Sequence, residues 1–129
     1  MIIESFQDLI VYQKAFDLQQ QVFSITENFP KEEIYSLTDQ VRRSSRSIGA
    51  NISEAWQKRR YEAHFVSKLT DSDAEQAETQ HWINTALARE YISQEIQNQL
   101  YTQCREIGKM LGSMIAHPET FCKSSKKSK

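Results

Sequence analysis

The first residues that could do chemistry are basic. Arg42, Arg43 and Arg46, with Lys58, Arg59 and Arg60, place six cations between positions 42 and 60 against Glu54 alone. Cations at that density make a phosphate-contacting surface. On a helix, positions 42 and 46 are one turn apart, so those two guanidiniums point the same way. The following stretch reverses the sign, with Asp71, Asp73, Glu75, Glu78 and Glu90 against Arg89. It offers the arginines a second role, ion pairing between helices or between subunits. Glu78-Thr79-Gln80-His81 carries the Glu-x-x-His spacing of di-iron bundle sites. Such a site needs two of these motifs plus a glutamate from each of two more helices. His64 and His117 have no glutamate three residues before them, so a di-metal enzyme is the remote alternative.

Other groups carry less. Tyr12, Trp56 and Trp82 could stack on bases, or serve as core and interface. Cys104 and Cys122 are two isolated thiols, too few for a disulfide framework or a cysteine-rich zinc site, which suits a cytoplasmic chain. The sequence has no glycine-rich phosphate loop, no paired nucleophile and base, and no ligand cluster. No enzymatic activity, cofactor, metal or small-molecule substrate is expected.

The elements that must position these residues read as four helices. Ser5 precedes Phe6-Gln7-Asp8 as an N-cap with an acid at N3. Val11, Ala15, Leu18, Val22, Ile25 and Phe29 then recur with helical spacing up to Pro30. Leu9, Tyr12, Phe16 and Phe23 form a second stripe beside them, more apolar surface than one neighbour needs, which predicts an oligomer. A second helix is predicted from Lys31 to about Lys58, with Leu37, Val41, Ser44, Ser45, Ile48, Ile52 and Ala55 in period. Gly49 inside it predicts a bend or a close helix approach, at which an added methyl group would overpack. A third helix from about Tyr61 to Arg89 puts Phe65, Leu69, Ser72, Gln76, Thr79, Ile83 and Ala86 on one unusually polar face. A fourth follows Ser93, with Ile96, Leu100, Cys104, Ile107, Leu111 and Met114 in period and Pro118 at its end. Gly108 and Gly112 in this helix suggest close approach of a neighbour.

Composition agrees. The chain has 129 residues, 39% hydrophobic and 26% charged, with three glycines and two prolines, too few turn residues for a many-stranded β fold. Mean hydropathy of −0.64 and the absence of a long apolar run predict neither membrane span nor signal peptide. Four long helices with short connections predict an all-α, antiparallel up-down-up-down four-helix bundle. Residues 1–117 are expected to form a single domain, and 118–129 a flexible Ser/Lys-rich tail.

Several runs carry a family resemblance. Phe6-Gln7-Asp8-Leu9-Ile10-Val11-Tyr12-Gln13-Lys14-Ala15 resembles an opening F-x-D-L-x-V-W/Y-x-K-A. Phe29-Pro30-Lys31-Glu32-Glu33, with Leu37, Gln40, Val41, Arg43 and Ser44, is similar to FP-x-E-E…L-x-x-Q-x-x-R-S/A. Ser47-Ile48-Gly49-Ala50-Asn51-Ile52-Ser53-Glu54-Ala55 resembles S-I-P-x-N-I-A-E-G/A, with Gly49 where proline is frequent. Asp73–Ile83, followed by Ala86 and Tyr91, is similar to E-x-x-E-T-Q-x-W-L-x-x-A…Y-I/L. Together they resemble the four-helix-bundle family also known as the 23S rRNA intervening-sequence-encoded proteins, over about residues 5–116.

The resemblance implies an antiparallel bundle in a ring-like homopentamer, with no known enzymatic activity. A related branch, the accessory variability determinants of diversity-generating retroelements, comprises basic pentamers that bind nucleic acid and a reverse transcriptase. Asn51, Glu54 and Glu78 fall in the matched motifs, as a polar surface or as local helix pairing. The expected function is a homo-oligomeric scaffold or adaptor that contacts RNA or a nucleic-acid-processing protein through the basic residues. The alternative is a protein-only interaction module, which a net charge of −1 favours, or, as the resemblance implies, a retroelement reverse-transcriptase accessory protein.

Overall fold

The computed structural model describes residues 2–122. It is all-α, with four long helices and no strand among the described residues: α1 (Ile10–Thr26), α2 (Asp39–Gln57), α3 (Glu62–Ala88) and α4 (Gln94–Ala116). Each helix packs on the next in sequence, α1 also meets α4, and the α2–α3 contact is the most extensive. The core follows the predicted stripes. Ala15, Leu18, Ile48, Ile52, Phe65, Leu69, Cys104 and Leu111 are fully buried. The face predicted for α3 is the face buried, including Ser72, Gln76 and Thr79.

The helix starts differ from the sequence reading. Ser5 does form a capping box with Asp8, but around a 3-10 turn at Phe6–Asp8. Leu9 is extended, with ψ 129°, so α1 starts only at Ile10. Its last turn closes at Thr26, before the Phe29-Pro30 pair, because the residue before a proline is driven from the α region. The Phe29 ring still packs on the core, 5.4 Å from Tyr91. The run predicted to open the second helix is a 3-10 turn at Lys31–Glu33 and a π-helical turn at Ile34–Thr38. The wide turn accommodates one extra residue. Leu37 and Thr38 both enter the core, while Ile34 and Tyr35 stay exposed.

At the end of α3, Glu90 adopts φ 64° and Tyr91 N–H reaches back to the Ala86 carbonyl at 2.9 Å, a left-handed helix stop made without glycine. Ser93 caps α4 by accepting from Ile96 N–H at 3.1 Å. The boundary set at residue 117 falls short of the packed chain. Pro118–Thr120 form a 3-10 turn, Phe121 stacks 5.9 Å from Phe65, and Cys122 is fully buried. The apolar pair Phe121-Cys122 finds the gap beside Phe65 that the lysines after it could not fill. The rest of the expected tail, 123–129, lies outside the described residues.

Cross-helix contacts run in descending order. Arg42 of α2 meets Thr26, and Gly49 meets Tyr12 and Ala15 of α1. Ser44 meets Thr79 and Ile48 meets Ser72 across α2 and α3. Lys14 meets Glu106, and Gln21 meets Gln103, across α1 and α4.

Gly108 is a close approach: a β-carbon there would sit 3.0 Å from the Gln76 amide nitrogen. Gly112 faces open space. Gly49 corrects the sequence reading, since an added β-carbon would meet Tyr12 Cε1 at 3.4 Å and Ala15 Cβ at 3.9 Å, ordinary contact rather than overpacking. Helix propensity then dominates, so Gly49→Ala should raise stability by about 0.5–1 kcal/mol in thermal or urea unfolding. A loss of stability would mean that Tyr12 cannot yield at all.

Candidate nucleic-acid interface

Helix geometry divides the arginine trio. Ser44, Ser45 and Ile48 turn α2 inward, so position 43 faces α3 and positions 42 and 46 face α1. Arg43 donates to Glu78 at 2.6 Å and lies 3.3 Å from Glu75, spanning the α2–α3 seam. The hydrogen bond to Glu78 holds the Arg43 guanidinium above its ordinary pKa. In return it draws the Glu78 carboxyl below the usual carboxylate range, helped by the Trp82 indole N–H at 3.0 Å. For Arg43 the ion-pairing role is the one observed.

Arg42 and Arg46 are arranged otherwise. The Arg42 guanidinium lies 4.1 Å from the centre of the Phe23 ring and donates its Nε–H to Thr26 Oγ1 at 2.8 Å. Arg46 sits 5.5 Å from the same ring. Among the described residues neither has a carboxylate within ion-pair distance, and both line an open cleft with Asp39, Ser47 and Ala50. Phe23 was assigned only to an apolar stripe; its role as a shelf for two guanidiniums has no signature in sequence.

Lys58, Arg59 and Arg60 do not join them. They follow the end of α2, about 24 Å along the helix axis from Arg42 at 1.5 Å per residue. The Arg59 guanidinium stacks 3.6 Å above Trp56 and donates to the Trp56 carbonyl, and burial lowers its pKa. Arg60 lies 6.0 Å from the Tyr61 ring, and Lys58 is exposed near Glu54. The basic run is therefore two clusters, one beside α1 and one at the far end of α2.

The motif residues do not pair with each other. Asn51 donates to the Ser47 carbonyl within its own helix. Glu54 accepts from Lys68 of α3 at 2.8 Å, which holds its carboxyl below the ordinary range and raises the Lys68 ammonium. Lys68 was missed, because nothing local links it to position 54. The Glu-x-x-His pair is also divided: Glu78 is engaged by Arg43 and Trp82, while exposed His81 packs edge-on against Trp82 at 4.7 Å. Among the described residues no three His, Cys, Asp or Glu side chains are placed to hold one ion. Of the aromatic candidates, Trp56 is buried beneath Arg59, Trp82 is bonded to Glu78, and Tyr12 borders an open cleft. His64 is exposed and stacks 5.3 Å from Tyr61. His117 lies 3.5 Å from Glu119. Burial pushes the Cys104 thiol up to about 12, so it is a packing residue at neutral pH.

A family model described as 23S rRNA-intervening sequence protein matches residues 7–113. Among solved structures, a protein with unknown function from the S23 ribosomal protein family of Bacteroides thetaiotaomicron is similar, with 30% sequence identity and a TM-score of 0.76. The match covers 83% of this chain and 96% of that one. No curated protein matches.

Arg43→Gln removes the main cause of the low Glu78 pKa. The Glu78 titration followed by NMR should move up toward the ordinary carboxylate range, with a stability loss under about 1 kcal/mol because both partners are partly exposed. Folded Glu78 ionises below its unfolded counterpart. Its contribution is therefore present above the unfolded carboxylate pKa and is lost as pH falls through the folded one. An unmoved Glu78 titration in the variant would assign the shift to Trp82 instead.

Proposed function

We propose, for a chain that belongs to the 23S rRNA-intervening sequence protein family, a cytoplasmic, non-enzymatic homo-oligomeric scaffold that contacts RNA through Arg42 and Arg46. The observation that carries this reading is their arrangement: two guanidiniums shelved on Phe23, open to a cleft and without a carboxylate partner among the described residues. A guanidinium already stacked and oriented loses less freedom when it meets a phosphate. Cys104, a buried free thiol, suits a reducing compartment.

The subunit in this reading is an antiparallel up-down-up-down bundle. The descending order of contacts between α1 and α2, α2 and α3, and α1 and α4 supports it. The chain in this reading also assembles with itself, five copies being the number that the resemblance implies. Support comes from a cleft between the start of α1 and the end of α4, lined by Ile3, Leu9, Ile10, Met110, Met114 and Phe121. Ile10, which lines it, is 56% exposed. Apolar surface left in water at a cleft is what a second copy would cover. Light scattering at micromolar concentration should give a mass several-fold above the 15.1 kDa of one chain, five-fold for the pentamer. A single mass near 15.1 kDa would overturn the assembly.

The RNA contact has its own test. The logarithm of the affinity should fall linearly with the logarithm of salt concentration, because each neutralised phosphate releases condensed counterions. Replacing Arg42 and Arg46 with glutamine should weaken binding for all sequences and flatten the log–log slope by about 0.7 per arginine on single strands. Lack of wild-type binding at about 50 mM salt, where electrostatic attraction is strong, would overturn this role. The protein-only module would then take its place.

A further inference from the structure

We infer that the cleft between α1 and α2 is a base-stacking seat for single-stranded nucleic acid, with the Phe16 ring as the platform and Arg46 as the phosphate contact beside it. The inference rests on the RNA-contacting reading above and adds the kind of strand and the mode of contact.

Phe16 is a large aromatic side chain 44% exposed on the outer side of α1. Its ring is held from one side: Tyr12, one turn earlier, stands 6.2 Å away with the planes 30° apart. Tyr12 in turn rests edge-to-face on Phe6 at 4.9 Å. The opposite wall belongs to α2 and is made of small residues, Gly49, Ala50 and Ser53, with Arg46 at its end. Small side chains leave room for a flat ring to reach Phe16.

The charge beside the platform selects the occupant. Arg46 and Ala50 line both this cleft and the adjoining one that holds Arg42, Arg43 and Asp39, so the two form one track along α2. Arg43 is committed to Glu75 and Glu78, and Asp39 is the one carboxylate lining the track. Arg42 and Arg46 leave the track positive. An apolar helix from a second copy would cover Arg46 and strand its charge, a costly burial. A nucleotide strand brings a flat π-face for Phe16 and an anion for Arg46 together. Duplex bases already stack on each other and present no free face, which restricts the occupant to single strands.

The test compares binding of an oligoadenylate of about 12 nucleotides, its duplex with oligouridylate, and an abasic strand of equal length, at about 50 mM salt. Phe16→Ala should weaken oligoadenylate binding roughly 5- to 150-fold and leave the abasic strand unaffected. Phe16→Leu, which keeps apolar bulk and loses the π-face, should show most of the same loss, and Phe16→Trp should restore binding. Arg46→Gln should weaken intact and abasic strands alike. Equal wild-type affinity for intact and abasic strands, or no change in Phe16→Ala and Phe16→Leu, overturns the stacking seat while leaving the phosphate contact standing. Absence of binding to every strand overturns both readings. A folded Phe16→Ala variant with smaller mass by light scattering and unchanged oligoadenylate affinity overturns the seat and makes this face a contact between copies.

Discussion

The rest of the structure depends on hydroxyl groups sealed between α2 and α3. Ser44, Ser72 and Thr79 have no solvent exposure, and a buried hydroxyl without a partner is destabilising by about 1–3 kcal/mol. Ser44 and Thr79 therefore share a hydrogen bond at 2.8 Å, and Ser72 donates to the Ile48 carbonyl at 2.8 Å. Apolar side chains can slide past one another at little penalty, whereas these bonds exist in a single register. Small hydroxyl residues also let the two backbones come close, consistent with the largest contact in the fold. Once that register is set, Arg43 falls opposite Glu75 and Glu78, and Glu54 opposite Lys68. The ion pairs follow the hydroxyl contacts; they are too exposed to create them.

The same register determines which cations remain. A helix turns about 100° per residue, so neighbouring arginines cannot share a face. With Ser44 and Ser45 inward, Arg43 must meet the acidic helix, and Arg42 and Arg46 must meet the aromatic side of α1. A cluster that is uniform in sequence thus becomes one neutralised arginine and two stacked ones. Their worth for anion contact lies in orientation as much as in charge. Arg42 uses its Nε–H on Thr26 and a face on Phe23, and its remaining N–H groups have no hydrogen-bond partner among the described residues.

The helical cores were legible because burial repeats with the helix period, and α3 was legible even through its polar middle. What local signals could not reveal was where backbone geometry departs from the α form. The capping box at Ser5 is a true helix-start signal, but Leu9 packs into the core only by leaving the helix, and the box serves a single 3-10 turn. Leu37 keeps helical spacing to Val41 on paper, yet it lies in a π-helical turn, a choice made by tertiary packing. Phe121-Cys122 were lost among the lysines of the tail because two apolar residues carry no period. The site was less legible than the fold. Residue types identified the arginines, but the spread of Lys58–Arg60 to the far end of α2 follows from helix length, and the shelf at Phe23 from a neighbouring helix.

Helix α1 carries more apolar surface than α2 and α4 cover, and that surplus falls in two separate places. Near its start, Ile10 joins Met110 and Phe121 in a cleft where the one bordering charge is Asp8, already engaged in capping Ser5. Further along its other side, Tyr12 and Phe16 adjoin Arg46. The first surface suits a second copy, since covering it strands no charge. The second does not, because an apolar partner would desolvate a guanidinium that nothing on this chain neutralises. Assembly and nucleic-acid contact therefore need not compete for one face. They would also differ in salt dependence: apolar burial is maintained or strengthened by salt, while phosphate contact is weakened by it. On the proposed reading, a scaffold built this way would remain assembled under ionic conditions in which it released a bound strand.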